Sequence, residues 1–282
     1  MEDNDFERIH FIDDCKKEFV SPKKFLNKYT PYSYFQQNIK DKSLVFVFPE
    51  TWRDPFERLY YNATGYEKYG LVEKPNFYCM CLTENSSENE DAAWTMYSKN
   101  ANEKIVKITY NASELLKCLN SICIKNNYDV YIGKVNYDFS SAQISGLSKN
   151  TKNNKEKEFF EKCFGHFHME NEDFFRLMLL KRKAFQFEKE VRFFLIPNKE
   201  NEMTNIFTLT GIEHNENLIS KITLAPLQPF DITDQRKAIY NKLQGTEEKL
   251  FKDEIIKLLP NFPSKKIQQS GLYKEQKRKT IL

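Results

Sequence analysis

Only eight glycines punctuate the 282 residues, under half the usual share. Glycine supplies the positive-φ turns and close backbone approaches on which several nucleotide-binding folds depend, so its scarcity removes whole classes of design. The chain has no G-x-G-x-x-G dinucleotide fingerprint. Gly65 and Gly70 have P-loop spacing, but Leu71-Val72 follows where Lys-Ser/Thr is required. No G-x-S-x-G elbow is present. What remains is a chain with 40% apolar and 29% charged residues, globular in composition and long enough for a sizeable core. Its longest purely apolar runs, such as Leu44 to Phe48, reach about five residues, against ~20 for a membrane span. No membrane association is expected. The opening Met-Glu-Asp-Asn-Asp lacks the basic-then-apolar pattern of a secretory signal, so a cytoplasmic location with reduced thiols is expected.

The pattern of short apolar runs predicts mixed helix and strand. Phe6 to Phe19 is amphipathic and predicted helical. Pro31 opens a second helix with Tyr32, Phe35 and Ile39 on one face. Leu44 to Phe48, Phe77 to Leu82, Lys104 to Thr109, Val130 to Val135, Val191 to Ile196, Ile206 to Leu209 and Ile219 to Leu224 read as strands. Ser87 and Glu90 form a capping-box pattern before Ala92 to Tyr97. Asn111 or Ser113 caps a helix with Leu115, Leu116, Leu119, Ile122 and Cys123 inward. Asn171 to Lys183 reads as a helix whose last basic residues complement its dipole. Thr246 is expected to cap a final helix that Pro260 closes. Strands and helices do not alternate as regular βαβ units. The expected fold is therefore α+β, with a mixed, mainly antiparallel sheet and surrounding helices. One domain is expected over 1–263, followed by a basic segment, 264–282, whose six basic and one acidic residues give +5 and leave −2 on the rest. That segment reads either as a solvated terminus or as an arm for phosphate or an acidic partner.

Glu188-Lys189-Glu190-Val191-Arg192 carries charges at alternate positions, which on a strand share one face. Such a row is either a solvated face or the lining of a cleft in which Arg192 orients one carboxylate and the other acts as base or binds a ribose hydroxyl. Trp52-Arg53-Asp54-Pro55-Phe56-Glu57 follows the first apolar strand. It reads as a turn anchored by aromatics, or as a stacking face. Trp94 and Tyr97, at i and i+3, read as core or as a ring platform. Cys163-x-x-His166-x-His168 lacks a partner that would complete a four-ligand zinc set, and no metal is assigned. A nuclease using Asp54, Glu57, Glu188 and Glu190 around a metal, and a nucleic-acid- or protein-binding module using the basic segment, remain open alternatives.

The order of these motifs resembles the bacterial domain of unknown function 2971 family. Tyr29, Phe48-Pro49, Trp52 to Glu57, Cys81-Leu82-Thr83, Trp94 with Tyr97, Lys183 with Phe187, Glu188, Glu190 and Arg192, and Ser270-Gly271-Leu272-Tyr273 match its short signatures along most of the chain. Trp52 and Arg53 replace the family's usual Phe and Asn, and Phe185 stands where Trp is common. A weaker resemblance connects the same order of residues to ADP-ribosyltransferase-like domains, which bind NAD without a glycine fingerprint. That resemblance implies an NAD-consuming transferase of the toxin or phage-defence kind, acting on a nucleic-acid or protein acceptor. Under it Glu190 is the catalytic carboxylate and Glu188 its helper. Tyr29, Trp52 and Trp94 shape the NAD pocket, and Arg53 or Arg192 meets phosphate or carboxylate.

Overall fold

The computed structural model describes residues 6–52, 54–62, 75–84, 92–94, 104–138, 171–197, 204–226 and 234–270. Among the described residues ten strands form one sheet: β1 Ile9–Phe11, β2 Phe25–Pro31, β3 Ser43–Val47, β4 Tyr78–Glu84, β5 Ile105–Asn111, β6 Asp129–Lys134, β7 Glu190–Ile196, β8 Ile206–Thr210, β9 Ile219–Leu224 and β10 Ile267–Gln269. Their order is β1-β6-β7-β4-β2-β5-β9-β10, with β3 branching from β4 and carrying β8. The β1–β6 and β9–β10 ladders are parallel and the others antiparallel, the α+β arrangement that the sequence predicts.

One face of this sheet is apolar. Leu26, Met80, Leu82, Ile108, Ile132, Val191, Phe193 and Ile222 project from it. Helices α2 Tyr32–Lys40, α4 Ala112–Asn126 and α6 Asp234–Leu258 bury Phe35, Leu116, Leu119, Phe251 and Ile255 in the same core. Pro31 precedes α2, as its fixed φ favours, and Tyr32, Phe35 and Ile39 are buried. Asn111 sits at the N-cap of α4 but makes no side-chain capping bond.

The opposite face mixes apolar and polar rows. At one end α3 Pro55–Asn62 and α5 Asn171–Met178 pack Tyr61, Phe174, Phe175 and Met178 against Phe77, Cys79 and Phe194. Towards the middle the face turns polar, and the sheet forks there. Strand β2 pairs with β4 only at Leu26↔Glu84 and Asn27↔Thr83, and β3 meets β4 at Val47↔Cys79.

Three expectations are corrected. Phe6 to Phe19 is not one helix. Ile9–Phe11 pairs with Val130–Ile132 as a strand, and only Lys16–Phe19 (α1) is α-helical, because the tertiary ladder outweighs local periodicity. The helix from Asn171 stops at Met178 rather than Lys183, since Leu180 turns into a bridge with Asn136. The last helix does not start at Thr246. Residues 234–258 are one helix that runs through Gly245, where nothing would contact an added Cβ. The basic segment also begins inside the fold, because β10 pairs with β9. Residues 271–282, Ser87 and Glu90, Tyr97, and Cys163 to His168 lie outside the described residues.

A buried charge cluster as the candidate functional site

Five charged side chains meet on the polar side of β7. Glu190 and Arg192 reach it from alternate positions of the strand, as the sequence predicts. Glu188 arrives differently. It ends a 3-10 turn, Lys183–Glu188, and Lys189 takes a left-handed φ of 44° before the strand begins. The expected row of three strand residues is therefore a turn plus two, yet the two carboxylates still converge.

Lys181 joins them. Its Nζ lies 2.6 Å from Glu188 Oε2, 2.9 Å from Glu190 Oε2 and 3.0 Å from Glu57 Oε1. The Arg192 Nε donates to Glu190 Oε1 at 2.9 Å, its Nη2 donates to Glu57, and its Nη1 donates to the Met178 carbonyl at the end of α5. Its guanidinium also lies 4.6 Å from the Trp52 ring centre. Arg192 is 1% exposed and Glu190 4%. Buried charges of this kind persist only when paired and hydrogen-bonded.

The turn after β3 serves the same cluster. Asp54 Oδ1 accepts from the Phe56 N–H at 2.9 Å, and Pro55 begins α3, so Glu57 falls on the first turn and points to Lys181 and Arg192. Arg182 pairs with Asp54 at 2.9 Å and lies over the Phe56 and Phe185 rings. The Trp52 indole N–H is buried without a hydrogen-bond partner.

Glycine is required at one point here. A Cβ on Gly133 would stand 2.3 Å from Leu179 Cδ1 and 3.2 Å from Ile12 Cβ. Gly133 is the register partner of Arg192. The missing side chain therefore lets the end of α5 close over the strand and present the Met178 carbonyl.

Three carboxylates face two cations, and the imbalance sets the protonation. Burial opposes the charge of Glu190, but Arg192 and Lys181 prevail and hold its carboxyl below the ordinary carboxylate range. Burial raises the Glu188 carboxyl to about 7; Lys181 opposes that rise, while Glu190 and Glu57 reinforce it. The excess negative charge is thus relieved by one proton, and Glu188 is where it binds. The Cys81 thiol also hydrogen-bonds Glu190, and its own pKa is raised by Cys79 and by burial.

Of the residues singled out from sequence, Glu188, Glu190, Arg192 and Trp52 come together. Tyr29 and Trp94 do not join them. They pack on each other, with Ile105, in a separate cluster on the same side of the sheet. Arg53 lies outside the described residues. Arg192 does meet carboxylates, but those of its own chain. Of the four acids of the metal reading, Glu57, Glu188 and Glu190 converge, and Asp54 pairs with Arg182 instead. The Lys181 ammonium sits where the three carboxylates meet. Lys181 completes the site. Periodicity hides Lys181 because three consecutive basic residues look like a helix end in solvent.

Among the described residues no helix is long and apolar enough to cross a membrane. No curated protein and no solved structure matches the chain. Residues 93–193, which include Trp94, Lys181, Glu188, Glu190 and Arg192, match the family described as protein of unknown function (DUF2971), the family its motifs resemble.

Proposed function

We propose that the cluster is the acid–base centre of an NAD-consuming, ADP-ribosyltransferase-like enzyme. The observation that carries this reading is the unequal pairing of its two acids, Glu190 being held by both Arg192 and Lys181 and Glu188 by Lys181. The two cations favour the carboxylate form of Glu190, while burial raises the Glu188 carboxyl to about 7. The chemistry needs both states. The ribose C1′–nicotinamide bond breaks with its electron pair leaving on nicotinamide, and a carboxylate stabilises the oxocarbenium-like centre. The acceptor nucleophile then bonds to C1′ and gives its proton to Glu188. The scarcity of glycine agrees with a nicotinamide dinucleotide held by rings rather than by a phosphate-cradling loop.

The test is nicotinamide release from NAD by the purified full chain, offered nucleic acid and protein acceptors. Glu190→Gln is expected to reduce turnover by about a hundredfold or more. In the wild type, turnover is expected to fall as pH drops below about 7, where Glu188 becomes protonated. No release from the wild type, or full turnover in folded Glu190→Gln, would overturn the reading.

A further inference from the structure

Two thiols stand side by side next to the charge cluster. Cys79 and Cys81 project from the same face of β4, because residues two apart on a strand point the same way. Their sulfurs lie 3.8 Å apart. Cys79 is 1% exposed, whereas Cys81 is half-buried. The pairing of β2 with β4 ends at Asn27↔Thr83, so both thiols lie beyond it, on the stretch of β4 that borders the fork.

Both are free thiols, and their spacing resists a disulfide. Two residues along a strand set the Cα atoms about 6.5 Å apart, with the Cα–Cβ bonds side by side. A disulfide needs the Cβ atoms at about 3.5–4.5 Å. Closing the bond would bend β4, which β7 holds straight from Tyr78↔Leu195 to Thr83↔Glu190. A bridging ion needs no such movement. Two metal–sulfur bonds of about 2.3 Å span up to about 4.6 Å between sulfurs. The observed separation of 3.8 Å falls inside that reach.

Ligand count and charge select the ion. Among the described residues no three His, Cys, Asp or Glu side chains are grouped to hold a metal, so the sulfurs act as a pair. Zinc takes four ligands in a structural site. A monovalent d10 ion such as copper(I) is satisfied by two soft thiolates. Lys28, across the fork on β2, lies within electrostatic range of both sulfurs. Burial lowers the pKa of its ammonium, and Cys81 and Cys79 oppose that fall. Two thiolates around one monovalent cation carry a single negative charge, which the ammonium offsets. We propose that Cys79 and Cys81 form a two-coordinate site for a thiophilic monovalent ion of the copper(I) class, with Lys28 as its counter-charge. On binding, each sulfur bonds the ion and its proton leaves to water. Cys81 then ceases to donate to Glu190, and that acid loses one of its contacts. The assignment stands whichever reaction the Glu188 cluster runs.

The test is anaerobic titration of the reduced full chain with copper(I), supplied as its bicinchoninate complex, alone and in competition with zinc(II). The chain is expected to withdraw copper(I) from the chelator. Cys81→Ser and Cys79→Ser are each expected to weaken that uptake about a hundredfold or more, and Lys28→Met about tenfold. Cys118→Ser is expected to leave it unchanged. Should Cys79→Ser fail to fold, the half-buried Cys81→Ser decides by itself. Glu190→Gln is expected to keep the ion, since Glu190 supplies no ligand, and this separates the site from the transferase reading. No uptake of copper(I), equal uptake in folded Cys81→Ser, or zinc(II) held in preference to copper(I), would overturn the proposal.

Discussion

At Glu188 a single proton links stability to pH. Its carboxyl is raised from 4.5 to about 7, so the folded chain binds this proton more tightly than the unfolded one. The resulting stabilisation is fully present below about 4.5 and is lost as pH rises through about 7. Glu190 acts in the opposite sense. Its lowered value stabilises above the ordinary carboxylate range and is lost on acidification. In urea unfolding, Glu188→Gln is therefore expected to abolish a decline of order 1–3 kcal/mol between about pH 4.5 and 7.5. An identical pH profile in wild type and variant would refute that assignment. Residue identity alone named both acids, because alternate charges beside an apolar strand are legible in sequence. It could not say which acid holds the proton. That depends on Lys181 and Arg192, which contact the two carboxylates unequally.

Among the elements, the end of α5 and strand β6 decide whether the cluster closes. Leu179 packs where a side chain on residue 133 would stand, and the following turn delivers Lys181 inward. Gly133→Ala is expected to cost about 1–3 kcal/mol through overpacking, read by chemical denaturation. The second substitution Leu179→Ala is expected to recover part of the loss, and additive costs would argue against that contact. The same region shows where element boundaries were legible. The sequence locates β3, β4, β5, β6, β7, β8 and β9, since each is a short apolar or β-branched run bounded by turn residues. It misplaces the end of α5, because Lys181 to Lys183 continue a helical pattern that only packing interrupts. It also misreads Ile9–Phe11, whose strand state exists through its partner Val130–Ile132.

For the whole molecule, the sheet order sets what can be removed. Residues 267–269 are the edge strand beside β9, and Ile267 is 1% exposed. Deleting 264–282 is therefore expected to destabilise the domain by about 2 kcal/mol or more, from the burial of Ile267 alone. Replacing Lys265 and Lys266 with Ser is expected to leave thermal melting nearly unchanged. Equal melting of the deletion and the lysine variant would contradict the role of β10. A binding assay that relies on this deletion would thus report lost structure together with lost charge, so lysine substitutions are the cleaner test of the basic segment.

The sequence by itself determined the α+β class, most strands, the apolar face that α2, α4 and α6 cover, and the identities of Glu188, Glu190, Arg192 and Trp52. These are local or periodic properties: alternation, helix spacing, and charge beside an apolar run. Tertiary structure alone decided that Lys181 joins Glu57, Glu188 and Glu190 in the charge cluster, and that Tyr29 and Trp94 belong with Lys107 instead. Those groupings follow from a strand order that jumps from β7 to β4, β2 and β5, and from the fork between β2 and β4. Which strands become neighbours is settled by the burial and pairing of the entire sheet, and no local stretch of chain encodes it.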